Sequence, residues 1–485
     1  MSQVRRTRIV CTIGPSSSSP QVLRAMVLAG MDVARLNFSH GDADAHRQAA
    51  ANVREAAEAA GRPVALLGDL QGPKIRTGRV EGTFQRLVRG RVVTLVGGGA
   101  SAPTRASGAT SPQGAEVKLE PNQIHVSHEE LVQALRPGDR VLLDDGRIEL
   151  AVRAVSDGRA EASVVRGGLL GERKGVSVPG RTLPLPALTE KDLSDLTLAV
   201  ELEVDYLALS FVRRPEDVIA CQEHLGGKIP VIAKLEKLEA IRQLSKILEV
   251  ADAVMVARGD LGVELKLGDL PAVQKDVIDR ANRAGVPVIT ATEMLESMVT
   301  SNRPTRAEAS DVANAIWDGT DAVMLSQETS IGAHPVEAVR AMARICLAAQ
   351  KHPDYERARQ IWREPGEVGS AIAHAAAATA AEIHAKLIIA FTESGTTALR
   401  CSKARPPMPV VAASPHPEVL RRTALYSGVV PLLVSPGRDT DQMISNATEA
   451  ALVSGMVRPG DRVVVVAGVP VGRPGQTNLL KVESV

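Results

Sequence analysis

The residues with the clearest chemical potential lie between positions 229 and 262. This stretch reads as a strand, a helix and a second strand, and the first strand ends with Lys234 and Glu236. Side chains at positions i and i+2 of a strand point to the same face, so this ammonium and this carboxylate enter one space. The second strand, Ala253–Ala257, is followed by Asp260 in an Arg-Gly-Asp-Leu-Gly turn. Two carboxylates beside an ammonium and a glycine turn suit a hard divalent cation and a phosphate or carboxylate.

Polar residues follow several other short apolar runs in the same way. Eight such runs alternate with helical segments, and this rhythm predicts a closed (β/α)8 TIM barrel in the α/β class better than an open sheet. In a barrel of this kind, the carboxyl ends of the strands form the active face. The polar residues predicted at that face are Arg35, Asn37, Ser39, Asp69, Arg76, Lys234, Glu236, Asp260, Thr292 and Glu328.

The alternation of strands and helices is interrupted between residues 73 and 174. Short alternating runs divided by Gly, Asp and Ser predict a small antiparallel β-barrel domain inserted after the third strand. Such a domain above a barrel mouth could act as a lid that excludes water. We therefore divide the chain into a barrel (1–72 and 175–351), a lid (73–174) and a C-terminal open α/β domain (352–485).

The composition excludes several classes of function. The formal net charge is +1 and aromatic residues make up 2%, so neither a nucleic acid nor a membrane surface is expected as a partner. The four cysteines lie far apart in the sequence, which favours a reducing cytoplasm. We expect no signal peptide, and the most apolar window, residues 371–391, carries charged and histidine residues that argue against a membrane span.

Several sequence strings, taken in order, resemble the pyruvate kinase family over essentially the whole chain. They include IVCTIGPSS, ARLNFSHG, GDLQGPKIRTG, MVARGDLGVEL and RPTRAEASDVANAIWDGTDAVMLSQETS. The resemblance implies a barrel, a mobile β-domain inserted after the third strand and a C-terminal effector domain, assembled as a homotetramer. It also implies transfer of a phosphoryl group from phosphoenolpyruvate to ADP, which gives pyruvate and ATP in the last step of glycolysis.

The resemblance assigns roles to individual positions. Glu236 and Asp260 would hold Mg²⁺ or Mn²⁺, and Lys234 would lie against the transferring phosphoryl group. Arg35 would contact the phosphoryl group and the nucleotide phosphates, and Thr292 would lie beside the carbon that gains a proton. The implied substrate contacts are Arg35, Ser210, Gly259, Asp260 and Thr292, and the implied nucleotide contacts are Asn37, His40, Arg76 and Lys174.

Many members of the family need K⁺, which this chain would hold with Asn37, Ser39, Asp69 and the backbone of Leu70. Those members commonly carry a glutamate where this chain has Lys74. A tethered ammonium could replace the ion, because a charge pair at ~4 Å and an effective dielectric of ~20 interacts by about 4 kcal/mol. We therefore expect that K⁺ is not required.

The C-terminal domain carries a hydroxyl-rich turn, TESGTT, between a strand and a helix, where backbone N–H groups could hold a phosphate or simply cap the helix. It resembles the loop that binds an effector phosphate, and the late loop, residues 468–478, lacks the Trp of members regulated by fructose 1,6-bisphosphate. We expect a phosphorylated activator, either a sugar monophosphate or AMP. The implied effector contacts are Thr392, Ser394, Gly395, Thr396, Thr397 and Arg473.

Two other functions compete with this interpretation. A Mg²⁺-dependent aldolase that forms a pyruvate enolate would also use Glu236, Asp260 and an arginine, but it has no use for Lys234, a lid or ADP. A metabolite sensor without catalysis is disfavoured, because the matched catalytic positions hold usable residues. Glu293 and Gln327 depart from the common family pattern near the mouth, and the sequence assigns no role to either.

Overall fold

Eight parallel strands form a closed barrel at the centre of the chain. The computed structural model describes residues 4–79, 84–98, 122–181, 183–359, 367–470 and 476–485. Each barrel strand pairs with the next along the chain, and the last pairs with the first. The predicted (β/α)8 fold is confirmed. The barrel strands are Arg8–Thr12, Val33–Asn37, Ala65–Asp69, Tyr206–Leu209, Val231–Leu235, Ala253–Ala257, Val288–Ala291 and Ala322–Leu325.

Helices connect the strands and cover the outside of the barrel. Several begin at capping residues: Ser19 accepts a hydrogen bond from the N–H of Val22, and Thr305 forms a capping box with Glu308. In the described part of the chain, no helix is both long enough and apolar enough to cross a membrane. The helices around the barrel are Pro20–Ala29, Ala43–Ala59, Glu190–Glu201, Pro215–His224, Leu238–Arg242, Leu244–Leu248, Arg258–Glu264, Leu270–Arg283, Arg306–Trp317, Gln327–Ser330 and Pro335–Ala349, with 3-10 turns at Leu267–Asp269 and Glu296–Val299.

The segment after the fifth strand differs from its prediction. We expected one helix there, but the structure has two short ones, Leu238–Arg242 and Leu244–Leu248, separated at Gln243. The backbone of Gln243 leaves the α region, with φ −99° and ψ 10°. The break lets both short helices bury apolar side chains, Ala240 from the first and Leu244 from the second. Tertiary packing thus overrides the local helical pattern.

The inserted segment forms a small β-domain with its own core, which includes the fully buried Leu95 and Leu131. Six strands share one sheet, and isolated bridges at Arg76 and Thr77 join its two edges, so that the sheet curls back on itself. One strand pair, Val92–Gly97 with Gln123–Val126, is parallel, so the prediction of purely antiparallel pairing is wrong there. The segment between these strands is long enough for the crossover that parallel pairing needs. The elements are Gln85–Leu87, Val92–Gly97, Gln123–Val126, helix Glu129–Ala134, Arg140–Leu143, Ile148–Ser156, Arg159–Arg166, Gly168–Leu170 and Val176–Ser177.

The C-terminal region folds as an open five-stranded sheet with helices, as predicted. The last strand, Leu479–Ser484, was not predicted; it pairs antiparallel at the edge of the sheet. Its charged residues suit an edge strand and hide the usual alternation. The elements are helices Pro353–Arg359, Val368–Glu382, Thr396–Lys403, Pro417–Arg422 and Thr440–Val453, the 3-10 turn Thr423–Leu425, and strands Leu387–Phe391, Val410–Ser414, Val429–Leu433, Arg462–Ala467 and Leu479–Ser484. The domain boundaries at residues 72, 174 and 351 stay predictions.

The barrel interior and the C-terminal sheet share one apolar cluster, which contains Ile232 and Met255 of the barrel and Ile388 of the C-terminal sheet. A buried ionic group crosses the same junction: Asp321 of the barrel lies 2.7 Å from Lys403 Nζ and 2.8 Å from an Arg405 nitrogen. Burial lowers the pKa of Lys403 to about 8, although Asp321 opposes the shift. Apolar packing and ion pairing therefore fix this end of the barrel, and the opposite end remains available for a site.

Candidate active site

A cavity of about 840 Å³ opens at the carboxyl ends of the barrel strands. The β-branched and alanine side chains of the strands are buried in the barrel, and the polar residues at the strand ends lie at this mouth. The structure thereby brings together most of the residues predicted to share the site. The predicted residues that line this cavity are Arg35, Asn37, His40, Lys234, Glu236, Asp260 and Thr292.

Lys234 lies at the centre of the charged groups. Its Nζ lies 2.8 Å from Glu236 Oε1 and 3.3 Å from Asp69 Oδ1, and it donates to the hydroxyl of Ser210 at 2.7 Å. Burial alone would lower the pKa of Lys234, but Asp69 and Glu236 outweigh it and raise the pKa above its ordinary value. The side chain is therefore an ammonium ion at neutral pH.

Arg35 and Asp69 form the second charged pair. Arg35 Nε lies 2.6 Å from Asp69 Oδ2, and one terminal nitrogen donates to the hydroxyl of Thr12 at 2.9 Å. Asp69 is 1% exposed; burial would raise its pKa, but Arg35 and Lys234 lower it. Asp69 thus holds both cations at the cavity wall. Thr12 was missed at the sequence level, because a threonine at a strand end carries no distinctive pattern.

Glu236 and Asp260 face the same cavity, as predicted. Glu236 is 2% exposed, and its Oε2 accepts a hydrogen bond from the N–H of Phe211 at 2.8 Å. Burial raises the pKa of Glu236, and Asp260 adds to the increase against the opposing effect of Lys234. Two carboxylates supply the hard oxygen ligands that Mg²⁺ prefers, and this ion usually keeps several water or substrate ligands. Among the described residues, no group of three or more His, Cys, Asp or Glu side chains could hold a metal ion, so protein ligands alone do not enclose one.

The segment predicted as a glycine turn after the sixth strand is the helix Arg258–Glu264, and its start contacts the loop after the seventh strand. The N–H of Gly259 donates to the hydroxyl of Thr292 at 2.7 Å, and Thr292 itself has a positive φ of 67°. Arg258 stabilises this strained backbone by donating to the carbonyl of Thr292 at 2.8 Å, and it pairs with Asp311 at 2.6 Å. Sequence reasoning gave Arg258 no role, although its place directly after a buried strand was a usable signal.

The residues predicted for the nucleotide are divided between two places. Asn37 and His40 line the cavity. Burial lowers the pKa of His40, and the nearby Arg76 lowers it further. Arg76 donates to the carbonyl of Arg173 at 3.1 Å inside the inserted domain. Lys174 is not at the cavity; its Nζ lies 2.9 Å from Asp144 Oδ1, another residue of the inserted domain.

The groups predicted to hold a monovalent cation make hydrogen bonds and ion pairs within the protein. The N–H of Ser39 donates to Asn37 Oδ1 at 3.2 Å, and the carbonyl of Leu70 accepts from Ser210 Oγ at 2.7 Å. Lys74 Nζ lies 3.9 Å from Asp260 Oδ1. The carboxylate next to Lys74 is therefore Asp260, whereas Asp69 is neutralised by Arg35 and Lys234.

Three other positions named in the sequence analysis lie in the loops around the mouth. Glu328 is fully buried and accepts hydrogen bonds from the N–H groups of Leu295 and Ser326, so it braces the loops after the seventh and eighth strands. Gln327 lines the cavity. Glu293 is exposed and has a positive φ of 55°.

The residues predicted for the effector lie in the C-terminal domain, between strand Leu387–Phe391 and helix Thr396–Lys403. Thr392 Oγ1 accepts from the N–H of Gly395 at 2.9 Å, and the hydroxyls of Ser394 and Thr396 lie 3.0 Å apart. The hydroxyl of Thr397 lies 2.9 Å from that of Thr477, which joins this turn to the late loop. Arg473 lies outside the described residues.

Comparison with known proteins identifies the family. Residues 4–339 match the family described as pyruvate kinase, barrel domain, and residues 370–483 match the one described as pyruvate kinase, alpha/beta domain. The chain belongs to the pyruvate kinase family. The resemblance inferred from the sequence strings is therefore confirmed. Pyruvate kinases are phosphotransferases, and the chain is an enzyme of this class.

Similar proteins extend over the whole chain. A pyruvate kinase of Mycobacterium tuberculosis is 44% identical over 484 residues, which cover 99% of this chain and 98% of the relative. A pyruvate kinase of Geobacillus stearothermophilus is 43% identical over 486 residues, which cover 99% of this chain and 80% of the relative. A crystal structure of a pyruvate kinase from Cryptosporidium parvum matches with a TM-score of 0.89 at 36% identity, over 99% of this chain and 96% of that one.

The raised pKa of Glu236 predicts that divalent metal binding depends on pH. A metal ion must compete with the proton that Glu236 retains to higher pH than an ordinary glutamate, so affinity for Mn²⁺ should rise with pH and weaken as Glu236 is protonated. We expect Glu236→Gln to bind Mn²⁺ at least about tenfold more weakly and to lose this pH dependence. Electron paramagnetic resonance of free Mn²⁺ measures both effects. Glu293→Gln, on an exposed residue of a neighbouring loop, is the control; unchanged affinity in Glu236→Gln would contradict the assignment.

Proposed function

We propose that the chain transfers the phosphoryl group of phosphoenolpyruvate to ADP, giving pyruvate and ATP in the last step of glycolysis. One observation carries the proposal: the ammonium of Lys234, the guanidinium of Arg35 and the carboxylates of Glu236 and Asp260 surround a single cavity. Phosphoryl transfer needs positioning and charge neutralisation more than covalent chemistry. This set of groups supplies both.

Lys234 and Arg35 neutralise the moving phosphoryl group. Lys234 is protonated and 11% exposed, so its charge acts in a partly desolvated site. Arg35 is held at Nε by Asp69 and at one terminal nitrogen by Thr12, and its other terminal nitrogen has no acceptor among the described residues. That nitrogen is oriented for a phosphoryl oxygen before the substrate arrives.

Glu236 and Asp260 would hold Mg²⁺ or Mn²⁺. When bound, such an ion would supply positive charge that stabilises the enolate and the transferring phosphoryl group. Because no group of three or more His, Cys, Asp or Glu side chains among the described residues could hold a metal ion, substrate oxygens and water would have to complete the coordination. This requirement couples binding of the ion to binding of the substrate.

Thr292 and Gly259 would contact the carboxylate and the methylene carbon of the substrate. The N–H groups at the start of helix Arg258–Glu264 can receive the substrate carboxylate, once the Thr292 hydroxyl turns away from Gly259. The released hydroxyl then lies beside the carbon that gains a proton, which water can deliver. Ser210, through its bond to Lys234, sets the position of the ammonium.

ADP would enter between the barrel mouth and the inserted domain. Asn37 and His40 offer contacts from the barrel, and Arg76 and Lys174 offer contacts from the inserted domain. Lys174 would have to exchange Asp144 for a nucleotide phosphate, which is a conservative exchange of one anion for another. Closure of the inserted domain would also exclude the water that competes for the phosphoryl group.

The proposal extends to regulation and assembly. The turn from Thr392 to Thr397 presents hydroxyls and helix N–H groups to a phosphorylated activator, a sugar monophosphate or AMP. The family resemblance supports a homotetramer. The four free cysteines of the described residues support a cytoplasmic location, because a reducing compartment keeps thiols unpaired.

A coupled assay with lactate dehydrogenase tests the function. Pyruvate release from phosphoenolpyruvate should require both ADP and Mg²⁺, and the rate should increase when AMP or a sugar monophosphate is added. Release of pyruvate from a 4-hydroxy-2-oxo acid, and not from phosphoenolpyruvate with ADP, would favour the aldolase-type alternative. No turnover under any condition would favour the metabolite sensor and reject the proposal.

From the position of Lys74 we predict full activity without K⁺. The ammonium of Lys74, 3.9 Å from Asp260, brings a positive charge to the mouth. Asp69 of the predicted cation pocket is already paired with Arg35 and Lys234. In tetramethylammonium buffer of constant ionic strength, the wild-type rate should change less than about twofold on adding K⁺, whereas Lys74→Glu should be activated by at least about tenfold. A tenfold activation of the wild type would overturn this prediction.

A further inference from the structure

The loop after the fourth barrel strand, residues 210–213, contacts the linker that leaves the barrel for the inserted domain. This linker passes through Gly72, whose φ is 67°. A side chain there would collide with the loop, because an added Cβ would lie 2.8 Å from Phe211 Cδ2 and 3.0 Å from Ser210 Cβ. The N–H of Gly72 donates to the buried Asp192 at 3.1 Å. The outgoing linker therefore has a fixed path.

Arg213 holds the linker that returns to the barrel. One terminal nitrogen donates to the carbonyl of Leu183 at 3.0 Å, and the other donates to the carbonyl of Leu185 at 2.9 Å. Asp217 orients the arginine, since its Oδ2 accepts from the backbone N–H of Arg213 at 2.9 Å and from Nε at 3.4 Å. The side chains of Arg213 and Asp217 are 16% and 4% exposed, so this fork is largely shielded from water.

The same loop also contacts the centre of the site. The N–H of Phe211 donates to Glu236, and the hydroxyl of Ser210 accepts from Lys234. One loop of four residues therefore contacts both linkers. It also contacts the proposed metal-binding carboxylate and the central ammonium. Arg213 does not line the large cavity; it lines a smaller one between the inserted domain and the barrel.

We propose that Arg213 is a positioning residue that sets the angle of the inserted domain over the barrel mouth. It acts through the return linker, whose two carbonyls it holds, and not through contact with a substrate. Loss of this fork would free the return linker while Gly72 still guides the outgoing one. Arg76 and Lys174 would then spend less time over the cavity. The kinetic part of this proposal rests on the proposed function, whereas the angle of the domain does not.

A distance measurement tests the angle without using activity. The native cysteines Cys11, Cys221, Cys346 and Cys401 are all buried, so new cysteines at the exposed positions Arg153 and Glu223 can be labelled selectively. Double electron–electron resonance should show a broader or shifted distance distribution in Arg213→Met. The control is Arg214→Met: this neighbour is 63% exposed and pairs with Glu216 and Asp217 and not with the linker. A distribution identical to that of the wild type in Arg213→Met would overturn the proposal.

Kinetics separate positioning from a general structural defect. Arg213→Met should lower kcat/KM for ADP by about tenfold, as expected when orientation and not a reacting group is lost. Exchange of the pyruvate methyl protons with deuterated water, measured with Mg²⁺ and inorganic phosphate, needs only the barrel groups and should change less than about twofold. Arg213→Lys should recover part of the loss, because it restores one donor. An equal loss in exchange and in ADP turnover would contradict a positioning role.

Discussion

The buried ammonium of Lys234 is the constraint on which the rest of the site depends. A charge with 11% exposure is costly unless it is paired, and Lys234 lies between Asp69 and Glu236. Asp69 is shared with Arg35, so two cations and two carboxylates form one nearly neutral group. This group can stay charged away from bulk water. It thereby supplies the preorganised electrostatics that phosphoryl transfer requires.

The barrel is what makes this group possible. Asp69 ends the third strand, Lys234 is the last residue but one of the fifth, and Asp260 lies in the helix that follows the sixth. Parallel strands in a closed sheet bring these residues to one mouth. The opposite end is closed by the C-terminal domain through shared apolar packing and the ion pairs of Asp321. The inserted domain leaves and rejoins the barrel beside the loop that carries Ser210 and Arg213. The charged groups of the site, the inserted domain and the linkers of that domain therefore lie next to one another.

The features that were predictable from the sequence are those set by residue periodicity and by the position of polar residues at strand ends. The i, i+2 spacing placed Lys234 and Glu236 together, and the apolar run Ala253–Ala257 coincides with the sixth barrel strand. Contacts that depend on tertiary geometry were not predictable: the Thr292 hydroxyl bound to Gly259, Lys174 paired with Asp144, and Lys74 beside Asp260. The parallel pair in the inserted domain was missed for the same reason, since pairing direction is set by distant partners, whereas the charged residues of Leu479–Ser484 hide the alternation of that edge strand.

The central claim is that Lys234 and the two carboxylates act on one metal-bound substrate. The most direct test is anomalous diffraction from crystals grown with Mn²⁺ and oxalate, whose two carboxylates imitate the carboxylate and enolate oxygens of enolpyruvate. We expect one Mn²⁺ peak within about 2.0–2.6 Å of oxygens from both Glu236 and Asp260, with oxalate completing the coordination and Lys234 next to it. A Mn²⁺ ion bound by only one of these carboxylates, or bound outside the barrel mouth, would contradict it.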